Sequence, residues 1–315
     1  MIVSRFAPAP TGYLHLGHVV NALHVWGIAR ALGGRVLLRI EDHDRQRSRP
    51  EYERAILDDL DWLGFTPDEP STDAFRAGRC HGRQSDRHDV YEQALARLRT
   101  LSGADGRALL YACDCTRRDL RAAMEHERGS LAVDVELRYS GRCAARDLAW
   151  RPGLGLRLRL PDVEEHFVDL RHGPQVQRPF EQCGDLLLVD RDGNWTYQFA
   201  VTVDDMVQGV NLVVRGDDLL ASTGRQIVLA RMLGRGVPPR FLHHGLIMKS
   251  ATQKLSKADR DTSVRDMRAA GLTPEDVVSR ALHGVGFVEV EAPMSRLEAE
   301  ALVARAYHQK RSAVE

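Results

Sequence analysis

The sequence of 315 residues carries no net charge of either sign, with Lys+Arg and Asp+Glu at 44 each. Nothing in its overall charge advertises a polyanion, although a local basic face is enough to hold nucleic acid. No run approaches the roughly 20 apolar residues that cross a bilayer. Met1-Ile2-Val3-Ser4-Arg5 also lacks the basic-then-apolar layout of a signal peptide. A cytoplasmic protein without a membrane partner is therefore expected. Internal repeats and low-complexity segments are missing. Cysteine is sparse: there are five, an odd number, and Cys113, Cys115 and Cys143 lie close together. That usage argues against a disulfide framework and for a reduced compartment and a metal. Cys80 and Cys183 stand apart and read as structural. What remains is 43% apolar and 28% charged, a soluble globular composition, in a chain long enough to bury roughly 75% of its extended surface.

The apolar pattern opens with a short buried strand, Ile2 to Phe6, then a Pro/Gly-rich loop, a helix from Gly17 to Leu32, and a second buried strand, "RVLLRIED", Arg35 to Asp42. This βαβ order predicts a parallel sheet whose ligand face lies at the strand C-termini. An amphipathic helix follows from Ser48-Arg49-Pro50, with Tyr52, Ile56, Leu60 and Leu63 on one face, and another from Asp86 to about Leu101 through Tyr91, Leu95 and Leu98. "GLRLRL", Gly155 to Leu160, alternates as a half-exposed antiparallel strand. "DLLLVDRDGNWTYQFAVTVDD" reads as a hairpin about Asp192-Gly193. "NLVVRGDDLL" is another buried strand with a helix behind it through Arg225, Ile227 and Met232, and the stretch from Ser263 is helical, with Thr273 as an N-cap.

Two motifs carry chemistry. His15 and His18 flank Gly17 at a strand-to-helix turn, where backbone N–H groups and the helix dipole favour an anion. Two imidazoles there can donate to phosphate oxygens, and glycine lets a base or ribose approach the backbone. "KLSKAD" places Lys254 and Lys257 three apart, compact charges suited to a phosphoryl transition state. Three thiols, Cys113, Cys115 and Cys143, begin a tetrahedral zinc site, for which His126, Asp114 and Tyr139 are all chemically possible fourth ligands.

His-x-Gly-His near the start, paired with Lys-Leu-Ser-Lys far along the chain, resembles the class I aminoacyl-tRNA synthetases and their HIGH and KMSKS signatures. "RFAPAPTGYLHLGH", "LLRIEDHD", "YQFAVTVDD" and "LVVRGDDLLASTGRQ" look like the glutamate-specific branch, over most of residues 1 to 260. The resemblance implies an α/β fold: a Rossmann-like parallel sheet in halves 1–110 and 186–250, an inserted zinc-bearing α+β module over 111–185 that contacts RNA, and a 251–315 segment holding the KLSK loop and C-terminal stem-contacting helices. It also implies a glutamate pocket of Arg5, Ala9, Glu41, Tyr197 and Arg215. Arginine can grip carboxylates, Glu41 can meet the ammonium, and Tyr197 can donate a phenolic hydrogen bond. Relatives often carry serine where this chain has Ala9. ATP, with Mg2+, would be bound by His15, Gly17, His18 and Lys257, and catalysis would rest on His15, His18, Lys254 and Lys257. The resemblance selects Tyr139 as the fourth zinc ligand.

Full glutamyl-tRNA synthetases continue into a large helical anticodon-binding domain, which is not expected behind Lys257 here. The resemblance is therefore to the short paralogues that activate L-glutamate with ATP and transfer it to the queuosine base in the anticodon loop of tRNA(Asp), and a monomer is expected. Three other readings stand beside it: a charger of a tRNA 3′ end, an adenylyltransferase making a small cofactor, and a non-catalytic zinc-dependent RNA-binding protein. The adenylyltransferase would not need the pocket arginines, and the last would not need both signatures intact.

Overall fold

The computed structural model describes residues 1–103, 105–132, 135–247 and 263–311. Strand β1 (Val3–Phe6), helix α1 (Leu16–Ala31) and strand β2 (Arg35–Leu38) form the expected βαβ unit, with the strands parallel and Val3 opposite Arg35. The second strand is shorter than its apolar run. Beyond Leu38 the amides turn to other partners, Ile40 to Gly82 O and Glu41 to Pro8 O, so that "RIED" lines the end of the sheet instead of extending it. Helix α2 (Pro50–Leu63) begins on its proline and buries Ile56, Leu60 and Leu63, and it stops at Gly64, whose φ of 76° favours glycine. After the short α3 (Thr72–Arg76), helix α4 (His88–Arg99) buries Tyr91, Leu95 and Leu98. It starts later than the sequence suggests, behind a 3-10 turn over Gln84–Asp86.

The next stretch is β-rich. Strand β3 (Leu110–Cys113), helix α5 (Arg117–Arg128), strand β4 (Gly155–Leu158), the hairpin of β5 (Glu165–Asp169) and β6 (Gly173–Gln177), the short helix α6 (Pro179–Cys183) and strand β7 (Leu186–Val189) follow in order. β3, β4 and β7 make an antiparallel sheet. The alternation in "GLRLRL" does not mark a wet face: all of Gly155–Leu158 is buried. Arg157 stays inside because its guanidinium lies over the Tyr139 ring, 3.7 Å from the centroid, and donates to Asp185 O.

The expected hairpin about Asp192-Gly193 is a turn whose second arm is a helix. Asp190 Oδ1 accepts from the amides of Asp192 and Asn194, and the chain then enters α7 (Tyr197–Val207). Phe199 to Asp205 is buried without interruption, so its pattern has no polar side from which a helical period could be read. Strand β8 (Leu212–Gly216), helix α8 (Thr223–Met232) and strand β9 (Arg240–His244) complete a second sheet in the order β6-β5-β9-β8, in which β5, β9 and β8 are parallel and β6 is antiparallel. β1 is tied to the start of β8, with the Val3 amide donating to Asn211 Oδ1 (2.8 Å) and the Asn211 amide to Val3 O (3.0 Å).

Helix α9 (Val264–Ala269) packs against α2 and α10 (Pro274–Gly284), and α10 and α11 (Arg296–Arg311) cover α1. Thr273 caps α10 as expected, accepting from the Asp276 amide. α11 crosses α1 at Gly27, where a Cβ would stand 2.7 Å from Glu300 O, so only glycine permits this approach. Trp26, Leu23, Val277, Ala281, Ala299 and Val303 fill the joint. No helix among the described residues is long and apolar enough to cross a membrane.

Candidate active site and metal centre

Arg5 and Arg215 occupy equivalent places, each one residue before the end of its parallel strand. They are buried, at 4% and 3% exposure, and neither pairs with Glu41 or Asp217. The Nε of Arg5 donates to both oxygens of Asp205, at 3.0 and 3.3 Å. Arg215 is held by three neutral acceptors: His243 Nε2 (2.9 Å), Gln226 Oε1 (2.7 Å) and Thr223 Oγ1 (2.9 Å). Among the described residues no carboxylate is within ion-pairing distance of it. Burial, uncompensated by a direct anion, draws its pKa below the usual arginine value. His243 accepts at Nε2, so its proton lies on Nδ1, which donates to Asp169 Oδ2 at 2.7 Å. Asp169, His243 and Arg215 thus form one buried line that fixes the guanidinium.

Glu41 is buried beside Arg39, whose guanidinium reaches it at 3.1 Å and Asp205 at 2.8 Å. Arg39 is fully buried and its pKa is raised: desolvation works against the charge, but Asp205, Glu41 and Asp204 outweigh it. Asp205 is held in its anionic form by Arg5 and Arg39 despite burial. Asp204 accepts from Arg87, Gln84 and Tyr91. The Tyr197 hydroxyl stands amid these groups. Its pKa is raised by burial first and then by Glu41, against the pull of Arg215 and Arg5. Arg5, Glu41, Tyr197 and Arg215 therefore share one buried electrostatic site at the strand C-termini. Ala9 lies in the loop behind β1, where its carbonyl accepts from the Thr11 amide (2.8 Å).

His15 and His18 cap α1. His15 Nδ1 accepts from the Gly17 amide (3.0 Å) and His18 Nδ1 from the His15 amide (3.1 Å), with ring centroids 4.0 Å apart. An accepting Nδ1 leaves the ring proton on Nε2, so each imidazole presents a donor at its other end. Gly17 is required for this arrangement, since a Cβ would stand 2.9 Å from the His15 ring. His15 also bridges Ser263, which brings the chain beyond the KLSK segment back to the start of α1. Lys254 and Lys257 lie outside the described residues.

Cys113, Cys115 and Cys143 are free thiols with sulfurs all within 4.8 Å of one another. Those of Cys115 and Cys143 are 3.6 Å apart, and Tyr139 Oη is 3.7 Å from Cys113. Ligands at about 2.3 Å from a tetrahedral zinc are about 3.8 Å apart, so the three thiols could hold such an ion, with Tyr139 Oη beside them. Asp114 Oδ1 accepts from Cys143 Sγ (3.2 Å), so Asp114 borders the cluster while its carboxylate also pairs with Arg146, and His126 is exposed. Arg157 donates to Cys113 Sγ (3.3 Å). Burial opposes ionisation of Cys113, yet this contact brings its pKa below the usual thiol value, while burial pushes Cys115 up to about 12. Cys80 and Cys183 are buried in the apolar cores.

The sequence reading missed Arg39, Asp204, Asp205, His243 and Arg157. Their signal was a charge inside an apolar run, as in "VLLRI" and "FAVTVDDMV", since a buried charge needs a partner.

A family model described as tRNA synthetases class I (E and Q), catalytic domain, matches residues 1–307. The chain is 41% identical to the Glutamyl-Q tRNA(Asp) synthetase of Symbiobacterium thermophilum, covering 93% of this chain and 90% of that one. It is 38% identical to the protein of the same name from Rhodobacter capsulatus, covering 88% and 98%. It is also 38% identical to Glutamate--tRNA ligase 2 of Syntrophus aciditrophicus, over 87% of this chain and 55% of the relative. Among solved structures, a glutamate tRNA ligase from Elizabethkingia meningosepticum in complex with its amino acid matches with a TM-score of 0.74 at 26% identity, over 100% of this chain and 70% of that one. This chain belongs to the E and Q family of class I tRNA synthetases, which are ligases.

Proposed function

We propose that the protein activates L-glutamate with ATP to glutamyl-adenylate and transfers the glutamyl group to the queuosine base in the anticodon loop of tRNA(Asp). The observation that carries the amino-acid assignment is Arg215, a buried cation fixed by three neutral acceptors. Such a group leaves a carboxylate of the substrate as the natural counter-charge. Arg5 adds a second cation, Glu41 receives the ammonium, Tyr197 donates from its hydroxyl, and the backbone at Ala9 closes the pocket. The choice of RNA is supported by the relatives named Glutamyl-Q tRNA(Asp) synthetase, which match along 90% and 98% of their own length.

In the first step the glutamate α-carboxylate attacks the α-phosphate of ATP, which arrives with Mg2+. His15 and His18 donate from Nε2 to the phosphates beside Gly17, and Lys254 and Lys257 neutralise charge on the phosphates and the leaving pyrophosphate. Ser263, paired with His15, brings the chain that follows the KLSK segment to this end of α1. In the second step a hydroxyl of the queuosine cyclopentenediol attacks the mixed anhydride. We assign one structural zinc to Cys113, Cys115, Cys143 and Tyr139, where it would tie β3 to the 139–143 loop of the module inserted between the halves 1–110 and 186–250. Of the 111–185 stretch, β5 and β6 join the sheet of β8 and β9, while β7, just beyond it, joins that of β3 and β4. The 251–315 segment carries the KLSK loop and the helices that face an RNA stem.

Glutamate-dependent ATP/pyrophosphate exchange without RNA tests the pocket, and its absence with glutamate but presence with another amino acid refutes the assignment. Labelling tRNA from cells with and without queuosine, using radioactive glutamate, tests the acceptor. Label that is indifferent to the modified base would return the protein to 3′-end charging.

A further inference from the structure

Between α4 and the turn after β7 lies a cavity of about 420 Å³ lined by His43, Arg45, Gln84, His88, Asp192 and Trp195 among others. His43 is two residues from Glu41, and its ring centroid is 6.1 Å from that of Tyr197. His43 thus borders Tyr197, a residue of the proposed glutamate pocket. The state of the His43 ring follows from its partners. Asp204 can only accept, so the Gln84 amide nitrogen donates to it (2.8 Å) and Gln84 Oε1 faces the imidazole. His43 Nδ1 lies 2.7 Å from that oxygen and must carry the proton. Nε2 is then a lone pair, set by a line of buried groups that runs from Asp204 through Gln84 to the ring. The loop carrying His43 is itself pinned across the cavity mouth by Gln46, which donates to Asp192 at 3.0 Å.

We propose that His43 is the general base of the transfer step. This rests on the reading of the protein as a glutamate-activating enzyme. The acceptor hydroxyl enters the cavity and gives its proton to His43 Nε2, and its oxygen forms an ester bond to the glutamyl carbonyl carbon. The bond from that carbon to the phosphate oxygen breaks, and AMP leaves with the electron pair. Gln84 and Asp204 are positioning residues for the ring. Adenylate formation needs no base, because the attacking α-carboxylate is already ionised, so His43 separates the two half-reactions. The other titratable and charged groups facing it are Asp44 and Arg45 on its own loop, His88 and Tyr91 on α4, Asp192 on the turn after β7, and Tyr197 on α7.

The test compares the single-turnover rate of transfer to queuosine-bearing tRNA with the rate of glutamate-dependent ATP/pyrophosphate exchange, in wild type, His43→Gln and His43→Ala. The ratio of transfer to exchange should fall by about 100-fold in both variants, the low end for general base catalysis. The acid-side decline of transfer, where a protonated imidazole no longer accepts, should vanish in His43→Gln, and added imidazole should raise transfer by His43→Ala. A ratio that falls less than tenfold overturns the proposal, and so does an equal loss in both half-reactions, which would make His43 structural. Wild-type protein without glutamate-dependent exchange is a different failure: it removes the amino-acid assignment, and the inference falls with it.

Discussion

Arg215 is charged, buried and supported by an imidazole, an amide and a hydroxyl, none of which returns a negative charge. A lysine there keeps the charge but cannot fork. Arg215→Lys should raise the KM for glutamate in pyrophosphate exchange by roughly 10–100-fold, the equivalent of losing one charged hydrogen bond of about 1.5–3 kcal/mol, and should leave the KM for ATP nearly unchanged. Arg157 plays the matching part at the thiols, lying over Tyr139 and donating to Cys113. Removing an outer partner of this kind weakens metal binding by about 10–100-fold. Arg157→Met should therefore lose zinc to a chelator at lower concentration than wild type, read by metal analysis and by thiol titration. Arg5, Glu41, Tyr197 and Arg215 were singled out by the resemblance of their motifs to the family, helped for Arg5 and Arg215 by their place beside strand ends. Arg39, Asp204 and His243 were hidden, because a buried network is assembled from residues far apart in the chain and each one alone reads as an oddity in an apolar run.

Among the elements, α1 carries the heaviest packing load, buried under α10 and α11 along most of its length. Its apolar residues run all round, and it was placed within one residue at each end by its length between the Pro/Gly loop and Gly33-Gly34. The second arm of the supposed hairpin, equally apolar but without such punctuation, failed to read, whereas α2 and α4, with one wet side each, were placed within a turn. Gly27 marks the crossing with α11. Gly27→Val should lower stability by about 1–3 kcal/mol, as overpacking does, measured by urea unfolding. The same helix meets β9 through a stacked pair of buried imidazoles, His24 and His244, with centroids 4.6 Å apart. Burial lowers both pKa values, and for His24 the neighbouring His244 adds to it. A depressed histidine takes up its proton more readily in the unfolded chain. The stability from this pair is present above the unfolded value of about 6.5 and is lost as pH falls below it. The melting temperature should drop between pH 7 and pH 5, and His24→Leu should make that slope shallower.

At the scale of the whole molecule, the two parallel strand pairs meet at β1 and β8, and the pocket proposed for glutamate lies at that junction, close to the start of α1. The parallel architecture was legible from the opening βαβ unit, because strand, Pro/Gly loop and capped helix are local events. The joining of β1 to β8 through Val3 and Asn211 was not, since a sequence records no contact between residues 208 positions apart. The contact of α11 with α1 has a consequence for how the chain can be divided. The C-terminal helices are held to the body by apolar surface and by the bridge from Ser263 to His15, not by the peptide bonds between Ile247 and Ser263 alone. Two polypeptides produced together, one ending at Ile247 and the other starting at Ser263, should find each other and co-purify as a complementing pair. Gly27→Val in the first piece should abolish their association. A third peptide covering the missing stretch would then supply the signature lysines as a separable reagent.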